Sequence, residues 1–104
     1  MANGSQFAST VTATSSGSQC LAFVVANSTT ISLSATSVRI YNAGSSSLVF
    51  CNVTTTSGAS TGDFPLRAGK DVTFTSRDGY YTGCSIIAAA STSSSVVVDV
   101  LAYR

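Results

Sequence analysis

The sequence has no histidine, no tryptophan and no glutamate, and its charged residues make up only 9% of the chain. Without histidine, the chain cannot build Ser-His-Asp or Cys-His nucleophilic sites, histidine metal sites or the commonest general base. None of the four aspartates lies in the aromatic-rich context that lines a carbohydrate-cleaving site. The composition therefore predicts a protein that is not an enzyme and that uses no cofactor and no metal.

The low charge also limits the class of partner. Five Lys and Arg residues face four Asp residues, for a formal net charge of +1. Nucleic-acid backbones are bound by clustered cations that displace counterions, and five scattered cations do not provide them. No apolar run approaches the roughly 18 residues that a membrane helix needs. We therefore expect no nucleic-acid partner and no membrane partner. A surface of Ser and Thr costs less free energy to desolvate than one rich in Lys and Glu, which favours lasting contact with other proteins.

The three cysteines, Cys20, Cys51 and Cys84, have neither the number nor the spacing of a disulfide framework or a zinc site. Each lies beside apolar residues, where a free cysteine acts as a small hydrophobic side chain; a disulfide formed after release is the alternative. Residues 1–6 lack the basic and apolar regions of a signal peptide. We expect synthesis in the cytoplasm, with residues 1–6 as a flexible arm before one domain of residues 7–104.

Apolar and polar residues alternate with a period of two along much of the chain, which is typical of antiparallel strands with one buried face. The alternating segments are 7–13, 30–35, 38–41, 71–75 and 96–103. Segments 21–26, 48–53 and 86–90 are apolar on both faces, so we expect a second layer or a partner subunit over them. Eight short strands separated by Gly-containing turns predict an all-β fold, a single antiparallel β-sandwich similar to a jelly roll.

The longest interval between predicted strands, residues 54–69, contains the only proline, Pro65, and is interpreted as a surface loop. Its G-x-S-x-G pattern at 58–62 lacks both the base and the strand-to-helix turn of a nucleophile elbow, so it belongs to the same loop. Asp63 and Asp71 are expected to pair with Arg67 or Lys70. Residues 63–81 place Arg and Tyr beside apolar anchors, as interface hot spots do. The alternative is an ordinary solvated loop that closes one end of the sandwich.

Three segments in the middle of the chain follow a recognisable order. They are residues 38–44 (VRIYNAG), 64–72 (FPLRAGKDV) and 80–88 (YYTGCSIIA). They provide an Arg-hydrophobic-x-Asn-x-Gly strand end, a proline step before a strand, and a late strand with aromatic and alanine residues. This order, over roughly residues 38–100, resembles small virion proteins of phages and prophages. Such proteins are typically capsid decoration (cement) proteins with a β-sandwich fold. The chain departs from the pattern because it ends without a Gly-rich tail.

The resemblance implies a non-enzymatic bacteriophage structural protein on the outer capsid surface of the virion. Its partners would be the major capsid protein and further copies of itself, as a homotrimer rather than a dimer. On this basis the capsid-facing residues are expected to be Phe7, Phe64, Leu66, Arg67, Lys70, Arg77, Tyr80 and Tyr81. The subunit contact is expected to include Val97, Leu101, Tyr103 and Arg104. The alternative is a receptor- or glycan-binding domain of a tail or head fibre, in which sugars would stack on Tyr41, Tyr80 and Tyr81.

Overall fold

The computed structural model describes residues 6–25, 31–45, 47–53, 59–60, 63–76, 79–89 and 96–104. These residues form eight β-strands and no helix, which confirms the predicted all-β class. The strands are β1 (Gln6–Ala13), β2 (Gln19–Ala22), β3 (Ser37–Asn42), β4 (Val49–Asn52), β5 (Phe64–Leu66), β6 (Asp71–Thr75), β7 (Gly83–Ala88) and β8 (Val96–Tyr103).

The strands form two antiparallel sheets of four strands each. Sheet A has the order β1-β8-β3-β6, and sheet B has the order β2-β7-β4-β5. Successive strands cross from one sheet to the other, except that β4 and β5 are neighbours within sheet B. This connectivity is that of an eight-stranded jelly roll, so the predicted β-sandwich is confirmed.

The core lies between the inner faces of the two sheets. Strand β8 shows the principle, because Val96, Val98, Val100 and Ala102 are buried while the residues between them are not. Each fully buried aliphatic side chain of this kind stabilises the fold by about 1.5–3 kcal/mol. Further large core side chains from both sheets and their connections are Phe23, Leu33, Val38, Ile40, Val49 and Ile86.

Two predicted segments differ from the structure. In the predicted strand 30–35, the described residues make only isolated bridges, from Ser32 to Val24 and from Ala35 to Tyr81. The predicted alternation is confirmed only in part, because Leu33 and Ala35 are buried but Ile31 is 61% exposed, and no ladder accompanies it. Conversely, the interval predicted as one long loop contains β5, which pairs with β4. A proline is compatible with a strand at the edge of a sheet, and this is where β5 lies.

Each side of the sandwich ends in two outer strands. On one side β1 packs near β2, and the rings of Phe7 and Phe23 are 5.5 Å apart. On the other side β6 lies near β5, and the rings of Phe64 and Phe74 are 5.8 Å apart. We call these sides the β1–β2 edge and the β5–β6 edge.

Strand β1 begins at Gln6, which pairs with Tyr103 at the end of β8. Sheet A therefore includes the last residue of the predicted N-terminal arm, and residues 1–5 lie outside the described residues.

Candidate interaction surface

The outward side chains of sheet A form one continuous surface, because alternate residues of adjacent strands point to the same side. The register aligns Ala8, Leu101, Arg39 and Thr73 in one row across the four strands. The next row is Thr10, Asp99, Tyr41 and Asp71. We call this surface the sheet A face; it consists of these eight residues together with Val97 and Tyr103.

The apolar part of the sheet A face lies on β8, a central strand. Val97 is 45% exposed, Tyr103 is 36% exposed, and Leu101 between them is half-buried. The structure thus brings together three of the four residues predicted for a subunit contact. An open depression of about 380 Å³ lies beside Leu101, next to Ala8 on β1. Apolar side chains in the middle of a sheet face are available to a second layer supplied by another molecule.

The charged groups of the sheet A face are engaged with their neighbours. Arg39 Nε donates a hydrogen bond of 2.6 Å to Asp71 Oδ2, and its guanidinium carbon lies 5.8 Å from the centre of the Tyr41 ring. Asp99 Oδ1 accepts a hydrogen bond of 3.1 Å from Thr10 Oγ1. The face therefore combines low net charge with a pattern of polar groups that another surface can match.

The predicted partners of two aspartates are wrong. Asp71 pairs with Arg39 rather than with Arg67 or Lys70, because β6 lies directly beside β3 in sheet A. The Asp63 carboxylate accepts hydrogen bonds from Asn52 Nδ2 at 3.1 Å and from the Ser60 backbone N–H at 2.8 Å. The prediction chose cations that are close in sequence. The contacts depend instead on strand register, which brings together residues that are distant in the chain.

Beyond the end of β8, the surface continues through Arg104 to Tyr80. The Arg104 guanidinium carbon lies 5.0 Å from the centre of the Tyr80 ring, and Nη2 is 3.5 Å from its hydroxyl oxygen. Tyr80 is 56% exposed, whereas Tyr81 is half-buried against the core and its backbone pairs with Ala35. This contact links Arg104, which was predicted for a subunit contact, to Tyr80, which was predicted for a capsid contact.

The remaining residues predicted to face a capsid do not form one surface. Arg67 and Lys70 are exposed in the turn that precedes β6, where Gly69 has a φ of 75°. Tyr80 and Tyr81 follow β6 and therefore lie at the opposite end of the sandwich, about 17 Å away along the strand.

The apolar members of that set are also dispersed. Leu66 is only 3% exposed and packs in the core, so its side chain does not reach the surface. Phe7 is half-buried against the core at the β1–β2 edge, and Phe64 is 45% exposed at the β5–β6 edge. Arg77 lies outside the described residues.

The outer face of sheet B is partly covered by residues 59–60, which lie between β4 and β5 in the sequence. The Ala59 backbone N–H donates a hydrogen bond of 2.8 Å to Ser85 Oγ, and Ser85 is fully buried although it points away from the core. Ala59 and Ser60, the described part of the G-x-S-x-G pattern, therefore lie in a covering loop. This loop provides part of the second layer predicted for strands that are apolar on both faces.

All three cysteines are free thiols. Burial raises the pKa of Cys51 to about 12, with a smaller contribution from the nearby Asp63 carboxylate. Burial likewise raises the pKa of Cys84 to about 12, followed by the effects of Cys51 and Cys20. Both buried thiols are protonated at neutral pH and are poor nucleophiles. Cys20 is exposed, and its Sγ donates to Ser85 Oγ at 3.6 Å.

Among the described residues, no group of three or more His, Cys, Asp or Glu side chains is arranged to hold a metal ion. The same residues contain no helix that is long and apolar enough to cross a membrane. Comparison with models of known protein families gives no match, and no curated protein matches the chain. The resemblance to phage virion proteins therefore stays a prediction.

Proposed function

We propose that this protein is a non-enzymatic structural component of a phage virion. It decorates the outer surface of the capsid, binds the major capsid protein and stabilises the head. The sheet A face is the surface that makes this contact. The proposal combines the resemblance of residues 38–100 with the exposed apolar residues of sheet A.

The observation that carries the proposal is the outward position of three apolar residues on a central strand: Val97 and Tyr103 are exposed, and Leu101 is half-buried. Burial of apolar area is the main driving force of association, and aromatic residues are enriched in interface cores. Of the charged groups nearest to these residues, Arg39 pairs with Asp71, and the Asp99 carboxylate accepts a hydrogen bond from Thr10 Oγ1. A contact with another protein therefore buries apolar area, and it needs a donor on the partner surface opposite Asp99 to offset the cost of desolvating that carboxylate.

The fold supports the proposal by analogy. Jelly rolls occur in viral capsid proteins and also in lectins, and a fold by itself does not decide between such functions. Glycan binding by stacking is less well supported by the tyrosines. Arginines lie against the rings of Tyr41 and Tyr80, and the ring of Tyr81 is half-buried against the core. Contact with a protein surface is the function that the exposed residues favour.

The test is co-sedimentation of the purified chain with empty capsids built from the major capsid protein of the same genome. The informative variant is Leu101→Lys, which places a charge in the middle of the sheet A face. The matched control is Ile87→Lys, at a half-buried aliphatic residue that points outward from the central strand β7 of sheet B. Thermal unfolding of both variants shows that each is folded.

We expect capsid binding by the parent chain and by Ile87→Lys, and a loss of at least about tenfold in affinity for Leu101→Lys. Electron microscopy of particles with and without the chain should show an added outer density. Failure of the parent chain to bind these capsids, together with reproducible binding on a glycan array, would overturn the proposal in favour of the fibre-domain alternative.

A further inference from the structure

The outer side of β1 has a row of backbone groups that the described part of the chain does not pair with another strand. Two hydrogen bonds show which groups these are: Ala43 N–H donates to Val97 C=O, and Asn42 N–H donates to Lys70 C=O, each at 2.9 Å. Odd-numbered residues at this end of β3 thus bond to β8, and even-numbered residues bond towards β6.

The same alternation continues across sheet A, because successive residues of a strand direct their backbone groups to opposite sides. On β8, odd-numbered residues bond to β3 and even-numbered residues bond to β1. The partners of those even-numbered residues on β1 are Phe7, Ser9, Val11 and Ala13. The N–H and C=O groups of the other β1 residues therefore point away from the sheet; these residues are Gln6, Ala8, Thr10 and Thr12.

None of the usual devices that protect a sheet edge is present on β1. Proteins commonly protect exposed edges with Lys, Pro, bulges or very short strands, because an open edge recruits other strands. Strand β1 is eight residues long and contains no charged residue and no proline. Strand β2 beside it is also uncharged, and the first charged side chain in the sequence is Arg39.

On the opposite side of the sandwich, the edge strand of sheet B is protected. Strand β5 has three residues with Pro65 at its centre. Ala89 N–H donates to Leu48 C=O, so even-numbered residues of β4 bond to β7 and odd-numbered residues bond to β5. Phe64 and Leu66 therefore bond to β4, and the one residue of β5 that faces outward has no N–H. An edge protected in this way stays single, whereas β1 is suited to a partner strand.

We propose that β1 is the contact for a second copy of this chain, with the two β1 strands pairing antiparallel around a two-fold axis. If Ser9 lies opposite Ser9 of the second copy, each outward residue meets an outward residue. Gln6 pairs with Thr12 and Ala8 pairs with Thr10, twice each because of the symmetry. Each such pair makes two backbone hydrogen bonds. Because β1 is uncharged, the two copies meet without like-charge repulsion.

This pairing joins the two A sheets into one sheet of eight strands, with both sheet A faces on the same side. An isologous contact closes at two copies, so the inferred assembly is a dimer, which departs from the trimer that the resemblance implies. The inference concerns self-association and does not depend on capsid binding, so the two proposals can fail separately.

Sedimentation velocity over a range of concentrations tests the inference, with Thr10→Pro as the informative variant. Proline removes the outward N–H of Thr10, and an edge position tolerates it because that N–H makes no bond within the sheet. Thr73→Pro is the matched control, because Thr73 faces outward from β6 in the same way. We expect a concentration-dependent dimer of 10.5 kDa chains that Thr10→Pro weakens by about tenfold or more and Thr73→Pro leaves unchanged.

Amide hydrogen exchange by NMR provides a second measurement that does not rely on a proline variant. Raising the protein concentration should slow the exchange of the Ala8 and Thr10 amides and leave that of Thr73 unchanged. A chain that remains monomeric, a trimer, a dimer insensitive to Thr10→Pro, or amides of β1 that exchange equally fast at all concentrations would each overturn the inference.

Discussion

The two edges of this sandwich differ in how they are finished, although both flank the same core. The β5–β6 edge carries Pro65 and Asp71, and Arg67 and Lys70 stand in the turn between its strands. The β1–β2 edge has no charged residue and no proline in either strand. The difference shows that exposure alone does not determine edge chemistry. The composition of the β5–β6 edge suits exposure to water, whereas that of the β1–β2 edge suits pairing with another strand.

The β5–β6 side is also held by a buried polar residue at the end of β3, the neighbour of β6 in sheet A. Asn42 is fully buried; its Nδ2 donates to the backbone oxygens of Ser47 at 2.8 Å and Leu66 at 2.9 Å, and its Oδ1 accepts from the Gly44 N–H at 2.9 Å. Gly44 is needed there, because a Cβ would lie 2.9 Å from a methyl group of Val96.

At neutral pH, the largest predicted effect comes from breaking this polar connection. Asn42→Ala removes the partner of the buried Leu66 backbone oxygen and of the part-buried Ser47 oxygen and Gly44 N–H, so we expect a loss of about 3 kcal/mol of stability. Chemical denaturation measures it. Thr73→Ala, at an exposed position of the adjacent strand β6, is the control and should change stability by less than about 0.5 kcal/mol. Equal effects of the two variants would contradict the assigned role of Asn42.

The second prediction concerns alkaline pH and the two buried thiols, Cys84 opposite β2 and Cys51 opposite β5. Their pKa values are raised from 9.0 to about 12, so the folded state keeps protons that the unfolded state loses. This contribution to stability is complete below pH 9 and is lost as the pH rises from 9 towards 12. The slope is about 1.4 kcal/mol per pH unit for each thiol.

Denaturation midpoints between pH 8 and pH 11 check this dependence. Cys51→Ala and Cys84→Ala should each remove part of the slope, and the double variant should remove the contribution of both. If the stability of the double variant falls with pH as steeply as that of the parent chain, the thiols do not cause the pH dependence. If Cys51→Ala and Cys84→Ala reduce the pH dependence of stability by different amounts, the larger reduction identifies the thiol whose pKa is raised more by burial.

The third prediction removes the protection of β5. Pro65→Thr restores an outward N–H at the β5–β6 edge, so we expect a new, weak association with a change in folding stability of at most about 1 kcal/mol. Sedimentation velocity of Pro65→Thr combined with Thr10→Pro isolates this association from any that involves β1. If the combined variant is as monomeric as Thr10→Pro alone, Pro65 is not what keeps this edge single.

The smallest effect is predicted for the ion pair between Arg39 and Asp71. Both side chains are 47% exposed, and pairs of this kind contribute less than about 1 kcal/mol because water and salt screen them. Asp71→Asn should lower stability slightly at low salt and have no measurable effect at high salt. If the loss of stability persists at high salt, the contact stabilises the fold through its hydrogen bond rather than through charge.

The fold class could be predicted because the alternation of side chains reports directly on burial. Val96, Val98 and Val100 show it in β8, and the same period marks β1, β3 and β6. The short strand β5 could not be predicted, because local preference opposes a proline in a strand and only its edge position allows it. The eight predicted strands therefore include one that is not formed and omit one that is.

The interaction surface was only partly predictable. Val97, Leu101 and Tyr103 share a face because they are spaced by two residues along one strand, which the sequence shows. The separation of Lys70 from Tyr80 depends on the direction of β6. The pairing of Arg39 with Asp71, and the covering of Ser85 by Ala59, depend on contacts between distant parts of the chain. Local patterns carry no information about those contacts.

The pairing of β1 with β8 has a consequence for how the chain reaches this structure. Thr10 and Asp99, which hydrogen bond across the two strands, are 89 residues apart in sequence. Sheet A cannot form until β8 has been synthesised, and closing so long a loop makes folding slow compared with helical proteins. During that interval both sides of β1 are unpaired, because β8 is its neighbour in sheet A, and binding by a chaperone would then be most useful.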